Sequence, residues 1–420
     1  MMNNKKWLLA FVITPILLLV VIASASMAES NIELLGEFLY FDENLSQPDG
    51  QSCASCHDPD FGFVDPDKEL PVSEGVLPNR FGGRNSPSAA YAMYSPIRFF
   101  DAGEELWIGG QFWDSRATGD VLGDPLADQA LGPFTNPVEM ANHERFTVIR
   151  DVAQSEYKDL FYAVWGTDLA NWALFTPDEI DTAYEQVALS IAAFERTELF
   201  APFNSKYDAY LKFCLERNGK PDDCAIGKGK KAEKAGQAIF SETEWDGLQL
   251  FMGENDNNGI LEKGEGAMCA ACHVAEWTPA EGNVVVPDWA PAGMVPPLFT
   301  DFTYDNLGVP RNTAYPLDPN APVDLGLGPV VDEDTENGKF KVMALRNIGI
   351  TEPYAHNGFF LTLKEITHFY NTRDVPEEGW PAPEYPDTVN IDELGNLGLS
   401  DADENALVAF MLTLTDGHMP

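Results

Sequence analysis

Basic residues are scarce. Only 26 lysines and arginines stand against 67 aspartates and glutamates, a formal charge of −41. Nucleic acid and an anionic membrane surface would both be repelled, so neither is expected as a partner. The imbalance suits a basic protein partner, or it is only a strongly solvated surface. Segments alternating with period two are few, which argues against a β-rich fold. Histidine occurs six times in 420 residues and is absent from Asp58 to Asn142. One long apolar run exists, from Trp7 to Ala23, with Lys5 and Lys6 before it and Ser26-Met27-Ala28 after it. It is short for a spanning helix, and the small residues at its end suit signal peptidase. Residues 1–28 therefore read as a secretory leader, with an uncleaved anchor as the alternative. No cysteine follows to make a lipoprotein. The expectation is a periplasmic chain with no membrane attachment after cleavage, in an oxidising compartment.

Cysteine is equally sparse, and all six divide cleanly. Four form Cys53-Ala54-Ser55-Cys56-His57 and Cys269-Ala270-Ala271-Cys272-His273. Two thiols at this spacing can add to both vinyl groups of one haem, and the adjacent histidine then reaches the iron. A redox dithiol or half a zinc site also uses Cys-x-x-Cys, but neither requires histidine directly after it. Two such motifs in an exported chain point to two covalent haems. The remaining pair, Cys214 and Cys224, brackets the turn-rich Asn218-Gly219-Lys220-Pro221 and reads as a local disulfide.

All of 58–268 lies between the motifs, far more chain than an electron carrier needs. Helix signals dominate. Thr176-Pro177-Asp178-Glu179 is a capping box ahead of the apolar face Ile180, Ala183, Val187, Ile191 and Phe194. Ser241, Thr362 and Ser400 start further helices, and 144–165 reads as one more. The Pro- and Gly-rich stretches 58–88, 277–298 and 315–338 read as long ordered loops, of the kind that wrap a cofactor. Lys/Gly-rich 227–234 reads as a linker between a domain over 29–226 and another over 235–420.

These motifs resemble the bacterial di-haem cytochrome c peroxidase and MauG superfamily. The likeness runs from Leu35-Gly36-Glu37-Phe38-Leu39-Tyr40-Phe41-Asp42 through Gly83-Arg84-Asn85-Ser86-Pro87 and Phe112-Trp113-Asp114-Ser115-Arg116-Ala117. It continues with Gln129-Ala130-Leu131-Gly132-Pro133, Asn136-Pro137-Val138-Glu139-Met140, Leu345-Arg346-Asn347 and Pro353-Tyr354-Ala355-His356-Asn357-Gly358. The resemblance implies a mainly α protein of two cytochrome c-like domains. The haem on His57 would react with hydrogen peroxide, and the haem on His273 would relay electrons. It implies Glu139 as proton shuttle, with Gln129 ten positions earlier, and Trp113 as the bridge between haems. It also implies a calcium ion held by Asn85 and by carbonyls near Thr351 and Pro353. Residues 119–124 are extra relative to the family, which puts the loop between Trp113 and Gln129 in question. His356 matches a family histidine near the haem edges.

Two departures matter. Many family peroxidases close the first haem with a histidine from the loop after its motif; none exists here, so an open haem is expected. The family methionine that ligates the second iron lies fourteen positions after the histidine matched by His356, and here that position is Tyr370. MauG and its relative MbnH share this exchange, which points to oxidation of tryptophan on a partner protein. Peroxide reduction with electrons from a cytochrome c or cupredoxin is the other reading, and a non-enzymatic di-haem carrier is a third. A second calcium could occupy 254–265, which follows EF-hand spacing.

Overall fold

A computed structural model describes residues 31–419, so the expected leader over 1–28 lies outside them. The chain runs through helix α1 (31–41), then α2 (Pro125–Ala130), α3 (Arg145–Gln154), α4 (Lys158–Trp165) and α5 (Pro177–Phe194). Next come α6 (Lys206–Glu216), α7 (Pro221–Ala225), α8 (Gly229–Ile239) and α9 (Glu242–Met252). Short α10 (Gly328–Val331), α11 (Leu363–Thr372) and α12 (Asp401–Leu412) complete the helices. Strand is confined to three antiparallel pairs. These are β1 (Phe99–Asp101) with β2 (Leu106–Ile108), β3 (Thr278–Pro279) with β4 (Met294–Val295), and β5 (Tyr304–Asp305) with β6 (Phe340–Lys341). The fold is mainly α with long loops, as expected.

Local chemistry sets the helix starts. Thr176 and Glu179 cap α5 reciprocally, Ser241 and Glu244 cap α9, and Ser400 and Asp403 cap α12. Thr362 accepts from the Glu365 amide to open α11. The single helix expected over 144–165 is broken in two at Ser155. Its hydroxyl and its amide both donate to the Val152 carbonyl, which ends α3.

Two apolar cores form. The first gathers α1, α2, α3 and α5 around Tyr40, Phe134, Ile149, Val187 and Phe200. The second gathers α6, α8, α9, α11 and α12 around Tyr207, Phe251, Phe299 and Phe410. The expected linker at 227–234 does not hold. Gly229–Ile239 is helix α8, with Ala232 and Ala235 buried in the second core and packed toward α6, while its lysines face outward. The chain passes between cores earlier, from Phe203 in the first to Tyr207 in the second. A fully buried ion pair, Arg346 to Asp208 at 2.7 Å, bolts this junction. The guanidinium also donates to the Pro297 carbonyl and lies among Tyr91, Phe203, Tyr207 and Phe299. Cys214 and Cys224 form the expected disulfide between α6 and α7. Gly219 sits against it so closely that a Cβ would meet the Cys224 sulfur at 2.5 Å.

Candidate active site

Each Cys-x-x-Cys-His motif folds as one tight turn, with the histidine amide bonded back to the first cysteine carbonyl at 2.9 Å in both cases. Each turn lines a large open hollow, about 1620 Å³ around Cys53, Cys56 and His57 and about 1820 Å³ around Cys269, Cys272 and His273. His57 Nδ1 meets the Phe63 carbonyl at 3.1 Å, and His273 Nδ1 meets the Phe299 carbonyl at 2.9 Å. Donation at Nδ1 leaves Nε2 free as a ligand. Burial lowers both imidazole pKa values, favouring the neutral, ligating form. All four thiols are raised by burial, Cys56 and Cys269 to about 12. A redox dithiol needs the opposite shift, so the donor set fits thioether-bound haem.

The first hollow collects the expected peroxide machinery. Glu139 and Gln129 both line it. Glu139 lies in a turn rather than a helix, so helix-dipole pairing does not explain it. Asn136 Nδ2 holds its Oε1 at 2.5 Å, and Val76 N–H holds its carbonyl. Burial pushes its carboxyl pKa upward, while Arg116 and Asn136 oppose the shift. The extra segment 119–124 is pinned by Asp128, whose carboxylate accepts from Gly119, Val121 and Leu122. Asp124 then caps α2, the helix carrying Gln129. His57 is the one histidine among the described residues lining this hollow. His143 is exposed and lines neither hollow, and His368 pairs with Glu404 and Glu378 away from both.

Trp113 lines both hollows. Its Nε1 donates to the Asn85 carbonyl at 2.8 Å, and its own carbonyl accepts from Lys341 N at 2.9 Å. His356 lines the second hollow, stacked on Phe340 at 3.5 Å between centroids, with its Nε2 unpartnered. Burial takes it down to about 3, so it is neutral. Tyr370, on α11, lines the same hollow beside Cys269 and His273, and its hydroxyl makes no hydrogen bond. Burial keeps this phenol protonated to well above its ordinary range.

Asn85 meets the Pro353 carbonyl at 2.5 Å and the Ala355 carbonyl at 3.4 Å, in both cases through Nδ2. Turning the amide over would present Oδ1 together with these carbonyls, an oxygen set that suits calcium. Thr351 lines the hollow near them, but its hydroxyl turns to Ile348. The EF-hand-like loop forms no cage. At its ligand positions Asp256 accepts from Asn258 and Glu265 accepts from the Glu262 amide, while Asn255 and Asn257, which are not ligand positions, brace the loop against the carbonyls of Leu397, Ile391 and Leu394. Among the described residues the acidic cluster is elsewhere, at Asp305 and Glu393 beside Cys272.

Glu195, Arg116 and Lys341 have no role assigned from sequence; Glu195 and Lys341 are buried and Arg116 is exposed. Glu195 lines the first hollow near Cys53, with Oε2 unpartnered and its pKa pushed by burial to about 8. Its signal is helical spacing, four positions after Ile191 on a buried face. Arg116 stands 3.7 Å over the Phe112 ring in the same hollow. Lys341 is buried between Ser95 and the Gly110 carbonyl, and burial lowers it to about 7.

Two covalent haem cradles sharing one tryptophan define a di-haem c-type oxidoreductase. A sequence profile of the di-haem cytochrome c peroxidase family matches residues 30–213. The methylamine utilization protein MauG of Paracoccus denitrificans is 32% identical over 415 residues, covering 93% of this chain and 90% of that one. Cytochrome c551 peroxidase of Nitrosomonas europaea is 26% identical, covering 94% and 82%. The di-haem peroxidase BthA of Burkholderia thailandensis superposes with a TM-score of 0.71 at 29% identity, covering 93% and 88%. The chain belongs to the di-haem cytochrome c peroxidase and MauG family, and it is an enzyme of that peroxide-using class. The non-enzymatic carrier reading, which needs Glu139 remote from both haems, is set aside.

Proposed function

We propose that this is a periplasmic enzyme that reduces hydrogen peroxide at the first haem and draws the electrons, through Trp113 and the second haem, from a protein partner. The haems, when bound, supply the iron centres that take up the two oxidising equivalents of peroxide. Cys53, Cys56 and His57 would hold the first; Cys269, Cys272, His273 and Tyr370 would hold the second. Glu139 does the proton work. Asn136 holds Oε1, which leaves Oε2 to take a proton from peroxide and hand it to the departing oxygen. Two electrons and two protons then convert each peroxide to two waters. Asn85, with the Pro353 carbonyl and the main chain at Thr351, would hold a calcium ion between the haem sites.

The observation that carries the choice of partner is Tyr370, a phenol lining the second hollow with no hydrogen bond. A hydroxyl held in this hollow needs a polar partner, and the iron of a haem bound through His273 would supply one. Tyr370 would give up its proton on binding that iron, and an anionic oxygen ligand would favour oxidised iron, where a methionine would favour reduced iron. A haem held by His273 and Tyr370 would thus be suited to storing oxidising power, which fits attack on an aromatic residue, tryptophan foremost, of a partner protein. MauG, the relative at 32% identity, supports the same reading. The test is Tyr370→Met, followed by absorption and EPR spectroscopy and by peroxide titration. Altered low-spin signals and a shorter-lived peroxide-oxidised state are expected; unchanged spectra and lifetime would remove Tyr370 from the iron.

A further inference from the structure

The hairpin β1–β2 carries an apolar surface patch. On one face Ile97 and Phe99, with Val121 nearby, are 44%, 44% and 68% exposed, while Phe100, the next residue of the strand, points to the opposite face. That opposite face is filled by Trp107, with Phe100 packed on it at 5.3 Å and Arg98 over the indole at 5.2 Å, so the patch has a firm backing. Val121 comes from the extra segment 119–124, and Gly119 of that segment comes so close to Ile97 that a Cβ would stand 3.0 Å from its Cγ1. The rim is acidic. Glu104, Glu105 and Asp120 are exposed and Asp101 is half-buried.

What lies under the patch gives it a use. The strand leaving Trp107 is stitched to the wall of the second hollow. Gly109 N–H donates to the Phe302 carbonyl at 3.0 Å and its carbonyl accepts from Tyr304 Oη; the Gly110 carbonyl accepts from Lys341 Nζ at 2.7 Å. Phe302 and Lys341 line that hollow, and Tyr304 directly precedes Asp305, which also lines it. Three residues beyond Gly110 the same strand reaches Trp113. A protein seated on the hairpin is therefore one layer of chain from both the second haem cradle and the bridging tryptophan.

We propose that the β1–β2 hairpin, with the segment 119–124, is the docking surface for the protein that gives electrons to this enzyme, a partner with an apolar centre and a basic rim. This rests on the reading that electrons come from a protein. The apolar centre supplies desolvated contact, and the acidic rim steers a basic surface at a rate that falls with salt. Each one-electron donor is oxidised once, and two such events complete the reduction of one peroxide to two waters.

The probe is a reduced, basic cytochrome c, supplied with hydrogen peroxide and the haem-loaded enzyme. Guaiacol, a small phenol that needs no docking, is measured in parallel. Ile97→Ser/Phe99→Ser removes the apolar centre, and Glu104→Lys/Glu105→Lys reverses part of the rim. Each double variant is expected to lose about tenfold or more in the second-order rate with cytochrome. Guaiacol oxidation should be unchanged, and the wild-type cytochrome rate should fall as salt rises. Cytochrome rates equal to wild type in both variants would overturn the proposal. So would a wild-type enzyme that oxidises guaiacol but not the cytochrome. Loss of guaiacol oxidation in the wild type would instead strike the peroxide reading itself.

Discussion

Trp113 donates its indole N–H to the carbonyl of Asn85 at 2.8 Å, and the Asn85 amide in turn donates to the carbonyl of His356 at 2.8 Å. The ring that borders both hollows is thus tied at its edge to the segment carrying the expected calcium ligands. Trp113→Phe keeps a ring of similar breadth and deletes that tie. Both haems should remain attached and the first contact with peroxide should stay fast. Transfer of oxidising equivalents to the second haem, followed by stopped-flow spectroscopy, should slow strongly. Equal transfer rates in variant and wild type would take the tryptophan out of the path.

Glu139→Gln retains the hydrogen-bonding shape and loses the proton shuttle. A loss of roughly 10²–10⁴-fold in the peroxide step is expected with both haems in place. Near-normal peroxide kinetics would clear Glu139 of the role.

The same carboxyl sets a pH limb. Glu139 must be ionised to take the proton, and its pKa is raised by burial against the opposing pull of Arg116. The peroxide rate should therefore fall as pH drops through that raised value. Arg116→Leu removes a lowering influence, so the limb should move to higher pH. A limb that stays put or moves down contradicts this electrostatic account.

Glu195 affects stability in the opposite sense to an ordinary carboxylate. Its folded value of about 8 lies above the roughly 4.3 of an unfolded glutamate. Between these values the native state binds the extra proton, so stability is greatest below the unfolded value and is lost as pH rises toward 8. Glu195→Gln should flatten that decline in denaturation curves of the haem-loaded protein. An unchanged slope over the same window would show that Glu195 is not the group responsible.

The junction pair offers a larger effect. Removing Asp208 as Asp208→Ala leaves the Arg346 guanidinium buried without its carboxylate. A cost of about 3–5 kcal/mol is expected, read by denaturation of the haem-loaded protein. A change within experimental scatter would mean that the pair does not hold the two cores together.

The haem attachments and the starts of α5, α9, α11 and α12 are legible in the sequence because their signals act within four positions. Cys53 to His57 is a chemical unit, and Thr176 meets Glu179 one helical turn away. Residues 227–234 mislead for the converse reason. Their composition is that of a linker, while the burial of Ala232 depends on α6, which the local pattern does not reveal. A different limit applies to 254–265, where ligand spacing is present but Asp256 and Glu265 are taken up by Asn258 and the Glu262 amide of the loop itself. The role of Lys341 is not legible because Ser95 and Gly110, which hold its ammonium, come from a distant segment.

Peroxide chemistry without prior reduction depends most directly on an open first haem. Its hollow contains no histidine besides His57 among the described residues, so nothing from the loop after Cys56 closes the iron as a histidine would. EPR spectroscopy of the fully oxidised, as-isolated protein measures this directly. One high-spin ferric signal, from the haem on His57, alongside one low-spin signal from the haem on His273 is the predicted result, with peroxide reacting before any reduction. A spectrum in which both haems are low-spin would contradict it.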